Sequence, residues 1–160
     1  MNALYLYIYS STVVYAWANS KEDESLQHAG NILKRMDELR ESGERPDLIP
    51  DVASYTSIIN ALANKSRHST VQEAEDILNH LMVERSSSLD SGIFNAVIKA
   101  HNKSGQSASA EKAEAVLRFL LDDEGPVNAK PNTITFNSVI DSWSKVGGKE
   151  GAGKSFTYLV

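Results

Sequence analysis

The sequence contains no cysteine, which excludes disulfide bonds, thiolate metal sites and cysteine nucleophiles. It has four histidines, and none of them stands at a metal-ligand spacing such as H-x-x-x-H. No serine lies in a G-x-S-x-G context either. We therefore expect no metal, no cofactor and no catalytic residue, so that the protein is not an enzyme.

Basic residues are also few, with 16 Lys+Arg against 21 Asp+Glu and a net charge of −5. This bulk charge excludes a strongly basic nucleic-acid binder, and any phosphate-binding surface must be local. The remaining composition is ordinary for one folded domain, with 160 residues, 41% hydrophobic and 23% charged.

The first 20 residues have no charged side chain and hold four of the six tyrosines. A secretory signal would use Ala16-Trp17-Ala18 as its cleavage site, but the basic n-region is missing. The stretch is too polar for a membrane span, and no Arg-rich transit peptide is visible. A signal segment stays open as an alternative, although the repeat described next accounts better for these residues.

A repeat appears when the chain is aligned with itself. Residues 55–62, 94–101 and 136–143 each begin with an aromatic and a small polar residue, followed by two neighbouring β-branched apolar residues. Residues 10–17 form a weaker copy. In the segments that start at residues 10, 55 and 94, an alanine stands eighteen residues after the second residue. Apolar residues follow this alanine at +3, +4 and +7, which is the spacing of one helical face. These second segments contain Ala29, Ile32, Leu33 and Met36; Ala74, Ile77, Leu78 and Leu81; and Ala113, Val116, Leu117 and Leu120.

Each unit is therefore predicted to be a pair of antiparallel helices. One pair cannot bury its apolar face alone, so the pattern predicts an all-α fold, a right-handed α-solenoid of antiparallel helix-turn-helix repeats. We expect a single array over residues 1–160, with a degenerate repeat at 7–51, repeats at 52–90 and 91–132, and an incomplete repeat at 133–160. Predicted helix starts are Asp51, Thr70 and Asn132, and predicted stops are Gly43 with Pro46, Ser86–Ser88, and Gly125-Pro126.

The residues at the ends of the units narrow the choice between helical-repeat families. Pro50-Asp51 and Pro131-Asn132 each precede a short gap and then an aromatic residue followed by Thr or Asn. This pattern resembles the pentatricopeptide repeat over residues 7–154, although the units are longer than usual for that family. The tetratricopeptide repeat prefers a W-x-x-L-G-x-x-Y first helix, and no Leu-Gly pair occurs in these first helices.

The resemblance implies a single-stranded RNA binder that reads one base per repeat with two or three side chains. The reading pair would be the residue after the first-helix aromatic and the last residue of the same unit. Carried over to this chain, the pairs are Ser11 with Asp51, Thr56 with Asp90, and Asn95 with Asn132, and Asn137 would begin a fourth. By the same resemblance, Thr with Asp favours a purine and Asn with Asn favours a pyrimidine.

The family's other RNA contacts carry over only in part. The residues that would sandwich the bases are Ile8, Ala53, Gly92 and Ile134, of which Ala53 and Gly92 offer little surface. Lys103 and Lys145 stand where the family contacts phosphate, whereas the other two repeats have asparagine there. We therefore expect weak, strongly salt-sensitive binding. The resemblance also implies a role in RNA processing, stability or translation in an organelle, the mitochondrion or the plastid.

Each of these residues also has a structural explanation. Asp51, Asp90 and Asn132 are suitable N-caps for the helices that follow them, and the lysines can be solvated helix ends. The alternative function is a protein-protein interaction scaffold of the same shape, which the acidic charge favours. No membrane partner is expected.

Residues Gly148–Ser155 match the P-loop pattern G-x-x-x-x-G-K-S. A P-loop needs a buried strand before it and a helix after it, whereas residues 136–146 are predicted to be a helix. Only five residues follow the motif. We expect the match to be coincidental and expect no nucleotide.

Overall fold

The computed structural model describes residues 3–20, 22, 24–65, 68–104, 108–122, 125–147, 151 and 153, with backbone alone for 3–10 and 68–69. Over these residues the secondary structure is helical throughout, without a strand. The α-helices are α1 (Ala3–Ala18), α2 (Ser25–Glu41), α3 (Val52–Lys65), α4 (His68–Arg85), α5 (Ser91–Ser104), α6 (Ser109–Leu121) and α7 (Thr133–Val146), with one 3₁₀ turn at Ser86–Ser88.

The chain divides into two compact units, residues 1–61 and 62–160, and the division falls within α3. The repeat boundaries expected from the sequence stay a prediction.

The first unit is built on a hairpin of α1 and α2. Ala29, Leu33 and Met36 of α2 are buried, as is Val14 of α1. The turn after α2 contains Gly43 at φ +76°, a left-handed conformation that favours glycine. The predicted stop at Gly43 is therefore confirmed.

The second unit is built around the hairpin of α5 and α6. Helix α5 packs against α4, α6 and α7, and α6 also packs against α7. Its buried cluster consists of Ile98, Ala110, Ala113, Leu117, Val139 and Trp143. Since each helix buries its apolar face against its neighbours, the prediction of an all-α fold built from helical hairpins in the manner of an α-solenoid is confirmed.

Burial follows the predicted helical face. The alanines at the start of the pattern, Ala29, Ala74 and Ala113, are fully buried. The residues at +4 and +7 are also buried, whereas those at +3 lie at the edge of the face and are half-buried. The apolar face is thus centred between the residues at +4 and those at +7.

Two predicted helix ends are displaced. Helix α4 begins at His68, two residues before Thr70, so that the buried Thr70 lies inside the first turn. Helix α6 ends at Leu121, four residues before Gly125, where the Asp122 backbone becomes extended. The stop at Ser86–Ser88 is confirmed, because α4 ends at Arg85 and passes into the 3₁₀ turn.

A histidine lies in the interior of the second unit. His101 of α5 is 1% exposed, and its Nε2 lies 3.1 Å from Oε1 of Glu75 in α4. Lys112 of α6 donates to the same carboxylate at 2.8 Å. Among the described residues Nδ1 of His101 has no hydrogen-bond partner, as expected for a neutral ring. Burial lowers the pKa of His101, and this outweighs the opposing effect of Glu75, while Lys112 lowers the pKa further.

Core packing at Leu117 can be tested by truncation. Leu117→Ala should lower the free energy of unfolding by about 2–5 kcal/mol, because the side chain is fully buried and its removal leaves a cavity. Leu121→Ala on the same helix, where the leucine is 58% exposed, should cost less than about 1 kcal/mol. Urea denaturation measures both, and equal losses would contradict the described packing.

The burial of His101 predicts a pH dependence of stability. The unfolded chain binds a proton on this ring near the ordinary pKa of 6.5, whereas the folded chain resists protonation. The contribution of His101 to stability is therefore complete above pH 6.5 and is lost as the pH falls below that value. His101→Gln should reduce this slope in urea titrations between pH 5 and 8. His80→Gln, at an exposed position on α4, is the matched control for the loss of an imidazole.

Candidate nucleic-acid interface

Polar contacts join the first helices of neighbouring repeats in the second unit. Nδ2 of Asn102 in α5 donates to the Ser138 carbonyl of α7 at 2.9 Å, and its Oδ1 accepts from the Ser142 hydroxyl. On the other side, Lys103 donates to Oδ1 of Asn64, near the end of α3, at 2.9 Å. Helix α5 is thus fixed on both sides to a first helix of a neighbouring repeat.

Asn95 of α5, the first residue of one predicted reading pair, has a buried polar atom that no hydrogen bond within the described part of the chain satisfies. Oδ1 of Asn95 is buried and has no hydrogen-bond partner among the described residues. A buried amide oxygen without a partner is costly, so a hydrogen-bond donor that reached it would remove that cost. Asn137, at the same place in α7, is exposed.

The second half of that pair, Asn132, caps α7. Its Oδ1 accepts from the backbone N–H groups of Ile134 and Thr135 at 3.0 and 3.2 Å. The backbone N–H of Asn132 in turn donates to the Thr135 hydroxyl, which completes a capping box. Its Nδ2 donates to the Ser91 hydroxyl at the start of α5 at 3.1 Å. The structural role expected for Asn132 is therefore present.

Three of the other predicted reading residues form local hydrogen bonds. Oδ1 of Asp51 accepts from the Ser54 N–H at 2.7 Å in the first turn of α3, and Oδ1 of Asp90 accepts from the Gly92 N–H at 2.8 Å. Thr56 donates to the Val52 carbonyl one turn earlier in α3, at 2.8 Å. The Ser11 hydroxyl in α1 is buried and has no partner among the described residues. Base reading by all these residues stays a prediction.

The predicted sandwich positions differ in the surface they offer. Ile134 is 63% exposed and presents an apolar face to solvent. Ala53 is exposed but small, and a Cβ added to Gly92 would lie 2.9 Å from Oδ1 of Asp90. The side chain of Ile8 lies outside the described residues. The expectation of uneven stacking along the array remains a prediction.

The two predicted phosphate-contacting lysines have different surroundings. The partner of Lys103 is the neutral Asn64 amide, whereas Lys145 pairs with the Asp141 carboxylate at 2.6 Å. Helix α5 carries a further lysine, Lys99, which sequence reasoning did not single out. Burial lowers the pKa of the Lys99 ammonium, and the nearby charge of Lys103 lowers it further. The sequence pattern that points to Lys99 is its position four residues after Asn95, because residues four apart lie on the same helical face.

The segment that matches a P-loop follows a helix. Helix α7 extends to Val146, and the Gly151 N–H donates to the Gly147 carbonyl at 3.2 Å, one helical turn earlier. A Cβ at Gly151 would collide with the Trp143 carbonyl oxygen. The backbone is helical at Gly151 and Gly153, and the other residues of Gly148–Ser155 lie outside the described residues.

An apolar groove of about 360 Å³ lies on the second helices of this unit, between α4, α5 and α6. Leu78, Met82, Phe94 and Phe119 line it. In the part of the chain that the structure describes, no helix combines the length and apolar character needed to cross a membrane.

The chain is 32% identical over 140 residues to a pentatricopeptide repeat-containing protein of Arabidopsis thaliana. The match covers 67% of this chain and 23% of that relative, so the chain spans less than a quarter of the relative's length. No protein-family model matches the chain. The similarity agrees with the helical-repeat architecture described above.

The contacts of Asn102 lead to a stability prediction. Asn102→Ala removes the bonds to Ser138 and Ser142 and should lower the free energy of unfolding by about 1–3 kcal/mol, because each hydrogen bond contributes about 0.5–1.5 kcal/mol. The matched control is Asn79→Ala at an exposed position of α4, expected to change stability by less than about 0.5 kcal/mol. Denaturant titration compares them, and a neutral Asn102→Ala would contradict a role for this contact in joining α5 and α7.

Proposed function

We propose that this chain is part of a pentatricopeptide repeat array that binds single-stranded RNA along the first helices of its second unit. The observation that carries the proposal is the buried Asn95 amide oxygen, which lacks a partner among the described residues. The resemblance predicts a base-reading role for this residue. The similarity to a pentatricopeptide repeat-containing protein supports it.

The chemistry of the α5 repeat suits this role. The Asn95 amide can accept from a base edge, since cytosine and adenine both carry an exocyclic amino donor. The exposed Lys103 lies two turns further along the same helix, where its ammonium can meet a phosphate. Helical repeats of this kind read one base per repeat with two or three side chains. Such binding requires no catalysis, so we propose a non-enzymatic role in RNA metabolism of the mitochondrion or plastid.

A second candidate function is a protein-interaction scaffold. The groove lined by Met82 and Phe119 favours it, because an apolar concavity suits an amphipathic helix of a partner protein. This function uses the second helices rather than the first and requires no RNA. It therefore predicts that RNA fails to bind even at low salt.

Fluorescence anisotropy with unstructured single-stranded RNA of mixed sequence tests the RNA proposal. We expect saturable binding that weakens as salt is raised, because phosphate contacts release counterions. Asn95→Ala should weaken binding by about 3- to 10-fold, the worth of one hydrogen bond. Duplex RNA should bind more weakly than single strands.

The control variant is Asn79→Ala on α4, which should bind like the unmodified chain. Absence of single-strand binding at low salt would contradict the proposal and favour the scaffold. Equal affinities of Asn95→Ala and Asn79→Ala would contradict base reading by Asn95.

A further inference from the structure

We propose that Lys99 is a second phosphate-contacting residue and that the α5 repeat, through Lys99 and Lys103, anchors the RNA backbone while the α7 repeat adds little. This inference rests on the proposed function. It assigns the electrostatic part of binding to the α5 repeat alone, whereas the resemblance divides it between Lys103 of α5 and Lys145 of α7.

Asn95, Lys99 and Lys103 follow one another at four-residue intervals along α5. Residues four apart in a helix are neighbours on one face, so Lys99 lies between the reading position and Lys103 along that face. The lowered pKa of Lys99, caused by burial and then by the charge of Lys103, agrees with this proximity. Two cations held next to each other repel, and an anion between them relieves this repulsion.

The partner of Lys103 leaves its positive charge in place. Its ammonium donates to the Asn64 amide oxygen, which orients the side chain without cancelling its charge. The hydrogen bond is exposed, so a phosphate oxygen can replace the amide at small cost.

The α7 repeat has the opposite arrangement at the corresponding positions. Four residues after Asn137 stands Asp141, in place of the lysine of α5, and its carboxylate pairs with Lys145 at 2.6 Å. A phosphate approaching Lys145 must displace this carboxylate and remain close to its negative charge. The ion pair therefore neutralises the lysine that the resemblance would assign to the backbone.

Salt dependence of RNA affinity separates these roles. Each lost phosphate contact on a single strand reduces the slope of log K against log salt by about 0.7. We expect this reduction in Lys99→Gln and the unmodified slope in Lys34→Gln, an exposed lysine on α2. Lys99→Arg should retain the slope, because its charge is kept. Asp141→Asn, which frees Lys145, should tighten binding and steepen the slope by up to about 0.7.

The outcomes distinguish this inference from the proposed function. If Lys99→Gln keeps the full slope while Asn95→Ala still weakens binding, the role of Lys99 is wrong and RNA binding stands. If Lys99→Arg loses as much slope as Lys99→Gln, the effect is structural and the inference fails. If Asp141→Asn changes neither affinity nor slope, the α7 ion pair does not suppress phosphate binding. Absence of RNA binding by the unmodified chain would overturn both proposals.

Discussion

The fold depends on one packing constraint, an alanine without exposed surface near the start of each second helix. Ala29, Ala74 and Ala113 occupy this place in α2, α4 and α6. A methyl group at a helix contact lets the two axes approach closely, and the distance between helices is set by the side chains between them. The leucines at +4 then reach the interior of their hairpins, and the polar face of each second helix stays in solvent.

Because these features are periodic, the sequence alone predicts them. The spacing of Leu33 or Leu117 from its alanine indicates a helical face, and Asn132 after proline indicates a helix start. Contacts between distant residues are not periodic. Nothing local shows that Lys103 meets Asn64, 39 residues earlier. The pairing of Asp141 with Lys145 is an i,i+4 contact, so the local sequence is sufficient to predict it. The family resemblance instead predicted a phosphate contact for Lys145.

The two neighbouring first helices thus have the same framework and different chemistry. Asn95 and Asn137 occupy the same place, yet the first has a buried amide oxygen and the second is exposed. A repeat family keeps its packing residues to preserve the hairpin, while the exposed positions are free to differ from unit to unit. In this chain the difference lies in charge as well as in the burial of this asparagine.

The contacts of Asn132 have a consequence for ligand selection. Its amide nitrogen donates to the Ser91 hydroxyl and its amide oxygen caps α7. Under the proposed function, a base that uses this side chain must take the place of a serine hydroxyl, so its recognition is an exchange of one hydrogen bond for another. The net gain per nucleotide is then small, and discrimination between bases accumulates only when several repeats engage a continuous strand.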